Sequence, residues 1–288
     1  MLNLVFSDLY RVKKGTFLYG VAMGLLALFL LLAVIFKVIS SPIFNELMES
    51  SADGTVITIE SDSVSQDLAE MQEELDEFIP DNGGAFGLSM LTEASNCLPL
   101  FLLPLLIAVF GADYSAGTFR NSLSYLSKRT PIYLSKLLIS ILLTIVIVLV
   151  YIIGSVLIGS LFFGFGGLGA AFWKQTLIIA ALQFPINLAF ICLGHCIMAV
   201  SRKTSHTIAI YLVGLLVWSV ILQLISMTIP GAQWLMNFDL MNAMTVMANY
   251  QSYTRADIIM PQVFSLAVIA ASLGIGVYRY QKTDFDFN

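Results

Sequence analysis

Long apolar stretches alternate with short charged ones along this chain. Asp, Glu, Lys and Arg are absent from residues 17–36, 94–112, 137–173, 175–201, 204–238 and 258–278. Crossing a hydrocarbon core of ~30 Å takes about 20 helical residues at ~1.5 Å each, so every one of these runs is near or above the spanning length. The run 137–173 is long enough to suggest two spans, but Gly164, Gly166, Gly167 and Gly169 break its later part. One span followed by a glycine-rich turn fits that pattern better. The predicted fold is an all-α membrane protein with six transmembrane helices at 16–39, 93–112, 136–163, 175–201, 207–229 and 257–278.

The connecting segments carry their own patterns. In residues 1–15, Leu2, Val5, Phe6, Leu9 and Val12 recur at steps of three and four, with Asp8, Arg11, Lys13 and Lys14 largely opposite, which predicts an interfacial helix on the inner leaflet. Residues 40–92 are rich in Asp and Glu and contain no Lys or Arg. Within them, Gly54–Ile59 reads as a short strand, and Val64, Leu68, Met71, Leu75 and Phe78 mark one face of a helix opened by a Ser63/Gln66 capping box, so a small α+β cap is expected between spans one and two. Its acidic face reads as a solvated surface that keeps the cap soluble, the other reading being that its apolar stripe packs on the strand or on a second copy of the chain. The turn 164–174 and the connection 202–206 are short. Residues 230–256 are too apolar for an ordinary loop and are interrupted by Pro230, Gly231, Asn237, Asp239 and Asn242, predicting short helices dipping into the outer leaflet.

Composition agrees with the pattern: of 288 residues, 58% are hydrophobic and 11% charged, against roughly 25% charged in an ordinary soluble domain. Charge then orients the spans. With the N-terminus inside, eleven basic and four acidic residues lie on the cytoplasmic side, a net +7, and three basic and fifteen acidic residues lie outside, a net −12. Lys37, Lys174 and Arg255 are the three outer cations. This asymmetry puts both ends, including the tail 279–288, in the cytoplasm and makes nucleic acid an unsuitable partner. Residues 1–16 followed by an apolar run without a small-residue cleavage site read as an uncleaved first span.

Catalytic chemistry is sparse. There is no Gly-x-Ser-x-Gly elbow, no Gly-x-x-x-x-Gly-Lys-Ser/Thr loop and no paired Glu within a span. Cys192, His195 and Cys196 stand close in the fourth span, but consecutive residues of one helix diverge too far to close a tetrahedral metal site alone, and packing is the favoured role of His195. Cys97 likewise falls within a span. No catalytic residue, metal ligand or cofactor of this chain is assigned. Gln183, Asn187, His195 and Gln223 are the polar side chains in spans that could line a pathway, with interhelical hydrogen bonding as the other reading.

The cytoplasmic connection 113–135 is long, basic and patterned. Asp113 can cap or pair at the base of span two, Gly117 permits a sharp turn, and Phe119, Leu123 and Leu126 form one face of a short helix suited to another protein's groove. Arg120, Lys128, Arg129 and Lys136 would equally bind anionic lipid headgroups, and composition leaves both readings open. Asp113, Gly117-Thr118, Leu123, Arg129 and Lys136, an acidic residue, Gly-Thr, a short helix, an Arg and a Lys opening the next span, resemble the ABC-2 type permeases of ABC transporters. Many relatives carry Glu where Asp113 stands. The N-terminal helix, the six spans, the large first outer loop and the helical pair before span six fit the same resemblance.

The resemblance implies a permease subunit of an ATP-driven exporter in a bacterial-type plasma membrane, paired with a second identical or related permease chain and surrounded by lipid. ATP and magnesium would be bound by separate ATPase subunits, which this chain would contact through a coupling helix comprising Asp113, Gly117, Thr118, Phe119, Arg120, Leu123, Leu126 and Arg129. The absence of a charged central cavity points to an amphipathic cargo such as an antimicrobial peptide, a lipid-like molecule or a drug. The rival reading is a non-transporting sensor or scaffold whose acidic outer loop binds a ligand or partner.

Overall fold

The computed structural model describes residues 2–15, 17–41, 79–93, 95–111 and 130–282. The strand and helix expected in the acidic cap, and the expected coupling residues from Asp113 to Arg129, lie outside these. Among the described residues the regular structure is helical, without strands: α1 Leu2–Lys14, α2 Phe17–Ile39, α3 Gly83–Thr92, α4 Leu98–Leu106, α5 Thr130–Phe163, α6 Ala170–Ser201, α7 Thr204–Thr228, α8 Leu240–Ala248 and α9 Arg255–Lys282. Short 3₁₀ turns occupy Ser95–Cys97, Ala232–Phe238 and Tyr250–Ser252, and a π-helical turn, Ile107–Gly111, ends α4.

Five helices, α2, α5, α6, α7 and α9, are long and apolar enough to cross a membrane, and a sixth crossing results if α3 and the stretch Ser95–Gly111 form one bent span. At ~1.5 Å per residue, the 34 residues of α5 extend about 50 Å, well beyond one hydrocarbon core. Burial separates these helices: half of the most apolar stretch of α5 and of α6 is buried, against 17–22% in α2, α7 and α9. The core is therefore built on α5 and α6, while the other three turn much of their apolar surface outward.

Several boundaries differ from the sequence expectation for physical reasons. Helix α5 begins at Thr130, six residues before Lys136, because Pro131 is tolerated in a first turn and nothing after it stops the helix. Helix α6 begins at Ala170, as soon as the glycines end, so Lys174 is helical. Residues 83–92, assigned above to the outer loop, are helix α3, whose N-terminus Asn82 caps by accepting from Ala85 N at 3.0 Å. Helix α6 runs through Pro185, and beside the loosened turn the Gln262 side chain of α9 donates to Leu182 O at 2.6 Å.

By contacts the chain divides into two compact units, Met1–Met23 with Leu91–Val150 and Gln175–Asn288, and Gly24–Met90 with Tyr151–Lys174. In the second unit, Phe29 meets Tyr151 edge-on at 4.9 Å, Tyr151 donates to Met90 O at 2.5 Å, and Phe86 stacks on Phe163 at 5.5 Å. The glycine turn docks there on α3, with Gly83 N donating to Gly164 O and Gly84 N to Gly166 O, both at 3.0 Å. Gly164 and Gly167 have φ of 84° and 68°, and a side chain at Gly167 would strike Asn82. Glycine is required there for both conformation and space.

The first unit holds α8 against its neighbours. Asp239 caps α8, accepting from Met241 N at 2.9 Å, and its other oxygen accepts from Ser219 of α7 at 2.6 Å. Trp218 Nε1 donates to Phe238 O at 2.9 Å. Leu240, Ala243, Met244, Val246 and Met247 are buried, so α8 packs into the bundle, whereas Ile229, Trp234 and Tyr253 on either side of it are exposed.

Candidate functional site

The unit Met1–Met23, Leu91–Val150, Gln175–Asn288 contains two buried polar clusters. The first lies where α5 begins. Asp8 of α1 pairs with Lys136 of α5 at 2.6 Å, their side chains 13% and 5% exposed. Among the described side chains of α1, Val5, Asp8 and Val12 are buried whereas Phe6 is exposed, so the acid belongs to the inward face and not to the charged face assigned above. The helical repeat allows this, since positions 5, 8 and 12 share a face. A carboxylate buried there needs a cation, and Lys136 supplies it.

One turn along α5, Ser140 Oγ and His195 Nε2 are hydrogen-bonded at 2.8 Å, with His195 fully buried. Phe110 and Tyr133 enclose the imidazole edge-on at 5.1 and 6.2 Å. Phe110 lies 5.9 Å from Tyr133, which in turn lies 5.7 Å from Tyr280 of α9. The absence of a side chain at Gly276 lets Tyr133 reach α9, since a Cβ there would meet the Tyr133 hydroxyl. Leu106, Ile132, Met198 and Ala199 complete the apolar packing. Favourable aromatic geometry and a paired charge thus tie four helices together.

This cluster fixes both visible ends of the connection containing the coupling residues expected from the sequence. At one end, Phe110 precedes Gly111, which packs so closely on Thr204 and Met198 that a Cβ would meet the Thr204 methyl group at 2.6 Å. At the other, Thr130 Oγ1 accepts from Gln281 Nε2 at 2.7 Å, and Tyr133 follows within one turn. The π-turn at Ile107–Gly111 sits at the first of these ends; such turns are frequent where a helix is adapted to a function.

The second cluster surrounds Gln183. Its Nε2 donates to Met244 O at 3.1 Å and Leu91 O at 3.4 Å, bridging α6, α8 and α3. Asn96 Nδ2 donates to Thr245 Oγ1 at 2.8 Å. Asn187, one turn along α6 from Gln183, is buried.

Of the four polar residues proposed to line a path, Gln183 and Asn187 share this cluster and His195 lies in the other, twelve residues from Gln183 or about 18 Å along α6. Gln223 is on the exposed face of α7 beside Ile221 and Leu224, away from both. Cys192 and Cys196 are buried free thiols on α6. Sequence reasoning missed Asp8, Tyr133, Ser140, Tyr280, Ser95 and Asn96 as members of these clusters. Asp8 alone gave a usable signal, an acid in register with Val5 and Val12. No protein-family model matches the chain, and no curated protein matches it.

Proposed function

We propose that this chain is the transmembrane permease subunit of an ATP-driven ABC transporter, exporting an amphipathic cargo. One observation supports the reading most: the connection between Gly111 and Thr130 is rooted at both ends in a single buried cluster that joins α1, α5, α6 and α9. Force applied to that connection by a partner would enter the bundle there, because a paired charge and close aromatic packing resist local yielding. In this reading the bent pair completes six spans, α1 lies at the inner interface, residues 40–92 face outward and both termini are cytoplasmic. The chain hydrolyses no nucleotide itself. ATP and magnesium are handled by ATPase subunits that engage Asp113, Gly117, Thr118, Phe119, Arg120, Leu123, Leu126 and Arg129, and a second permease chain completes the pathway.

The test is photocrosslinking from position 119 or 123 in native membranes, with a probe on the outward face of α7 at position 220 as control. An ATPase subunit captured from the first two positions and not from the third supports the reading. Capture of lipid alone at all three rejects it in favour of an anchoring role for the basic segment.

A further inference from the structure

The second cluster contains oxygens with nothing to accept from. Asn187 Oδ1, Ser95 Oγ and Asn96 Oδ1 have no hydrogen-bond donor among the described residues. Asn187 and Ser95 are only 2% and 1% exposed. Helix α6 and the chain from Leu91 to Phe110 run side by side in the same direction. Gln183 bonds Leu91, a side chain at Gly194 would meet Leu106, and His195 packs on Phe110. Asn187 and Ser95 each lie four residues beyond the first of these contacts along their own segments. Helix α8 touches both segments through Met244 and Thr245.

A buried acceptor without a donor loses its hydration and gains nothing in return, so such atoms persist where a guest supplies the missing partner. The groups here are two amides and a hydroxyl, all neutral. A divalent ion would call for carboxylates, whereas a single positive charge is served by neutral oxygens. The position is also apt: the 3₁₀ turn Ser95–Cys97 interrupts the helical course, and interrupted helices present polar groups at depth in a membrane.

We infer that Asn187, Ser95 and Asn96 form a binding site for a compact monovalent cation, either an alkali ion such as sodium or a primary ammonium group. Binding is a property of this chain alone and stands or falls separately from the transporter reading.

The full-length chain, purified in detergent and kept in choline chloride at constant ionic strength, is titrated with sodium chloride or with methylammonium chloride. Thermal unfolding and radioactive-sodium binding are followed. The expected result is a saturable rise in the unfolding midpoint with at least one of the two salts, with affinity about tenfold weaker in Asn187→Leu and unchanged in Gln223→Leu. A response to sodium alone identifies an inorganic ion, one to methylammonium alone an amine, and one to both the shared chemistry. Identical midpoints in all three salts, or a response untouched by Asn187→Leu, overturn the inference and leave the site to water. If Asn187→Leu does not fold, Ser95→Ala with Asn96→Leu is read against the same outcomes.

Discussion

The two halves of α6 bury polarity in opposite ways. Around His195, full charge is paired: Asp8 and Lys136 form an ion pair, His195 Nε2 is bonded to Ser140 and Phe110 packs edge-on against the imidazole, while His195 Nδ1 has no hydrogen-bond partner among the described residues. Around Gln183 and Asn187, polarity is neutral and partly open, with one amide spanning three helices and acceptors left without donors. Full charges in an apolar bundle cost too much to leave unpaired, so a charged cluster becomes a lock. Neutral amides cost less, so they can be held in reserve for a guest. The first cluster is distinguished by its paired full charges and the second by its neutral amides.

Mutation should expose this difference, and the largest effect belongs to the charged cluster. Asp8→Ala leaves Lys136 buried without its carboxylate and should cost about 3–5 kcal/mol in a denaturant titration of the purified chain, whereas Asp8→Leu with Lys136→Met should recover most of that loss. A single variant costing under about 1 kcal/mol, the value of an exposed pair, would show that the two charges are not a lock. Next comes Gly276→Val, which drives a side chain into Tyr133 and should cost about 1–3 kcal/mol by the same titration.

Effects shrink in the open cluster. Gln183→Leu removes two donated bonds and should cost about 1–2 kcal/mol. Asn187→Leu removes an acceptor that has no donor, and in choline chloride it should be neutral to within about 0.5 kcal/mol or stabilising. If Asn187→Leu proves as costly as Asp8→Ala, the contrast between the two clusters collapses.

The five long apolar helices were legible in the sequence because bilayer thickness imposes a length on apolar runs, and soluble folds rarely call for about 20 consecutive uncharged residues. Helix ends were less legible. Lys136 was taken as the start of a span on the ground of its charge, but a paired lysine can lie inside a helix, and α5 begins at Thr130. Gly83 and Gly84 disguised the start of α3 as loop, although small residues are what its close packing on Ser160 and on the turn at Gly166 and Gly167 requires. Asp8 was grouped with the cations beside it because its partner lies far along the chain. Gln183 and Asn187 were flagged as polar side chains within a span, yet whether an amide is satisfied depends on neighbours contributed by α3, α8 and the turn at Ser95, which no local pattern reveals.

The central claim is that the connection between Gly111 and Thr130 receives an ATPase partner, and affinity purification of the full chain from its native membranes addresses it most directly. The account predicts that an ATPase subunit co-purifies in stoichiometric amount and is lost from Arg120→Glu/Leu123→Asp, while that variant still reaches the membrane at the unaltered level. Purification of the unaltered chain without any ATPase, or undiminished recovery of one with the variant, would contradict it.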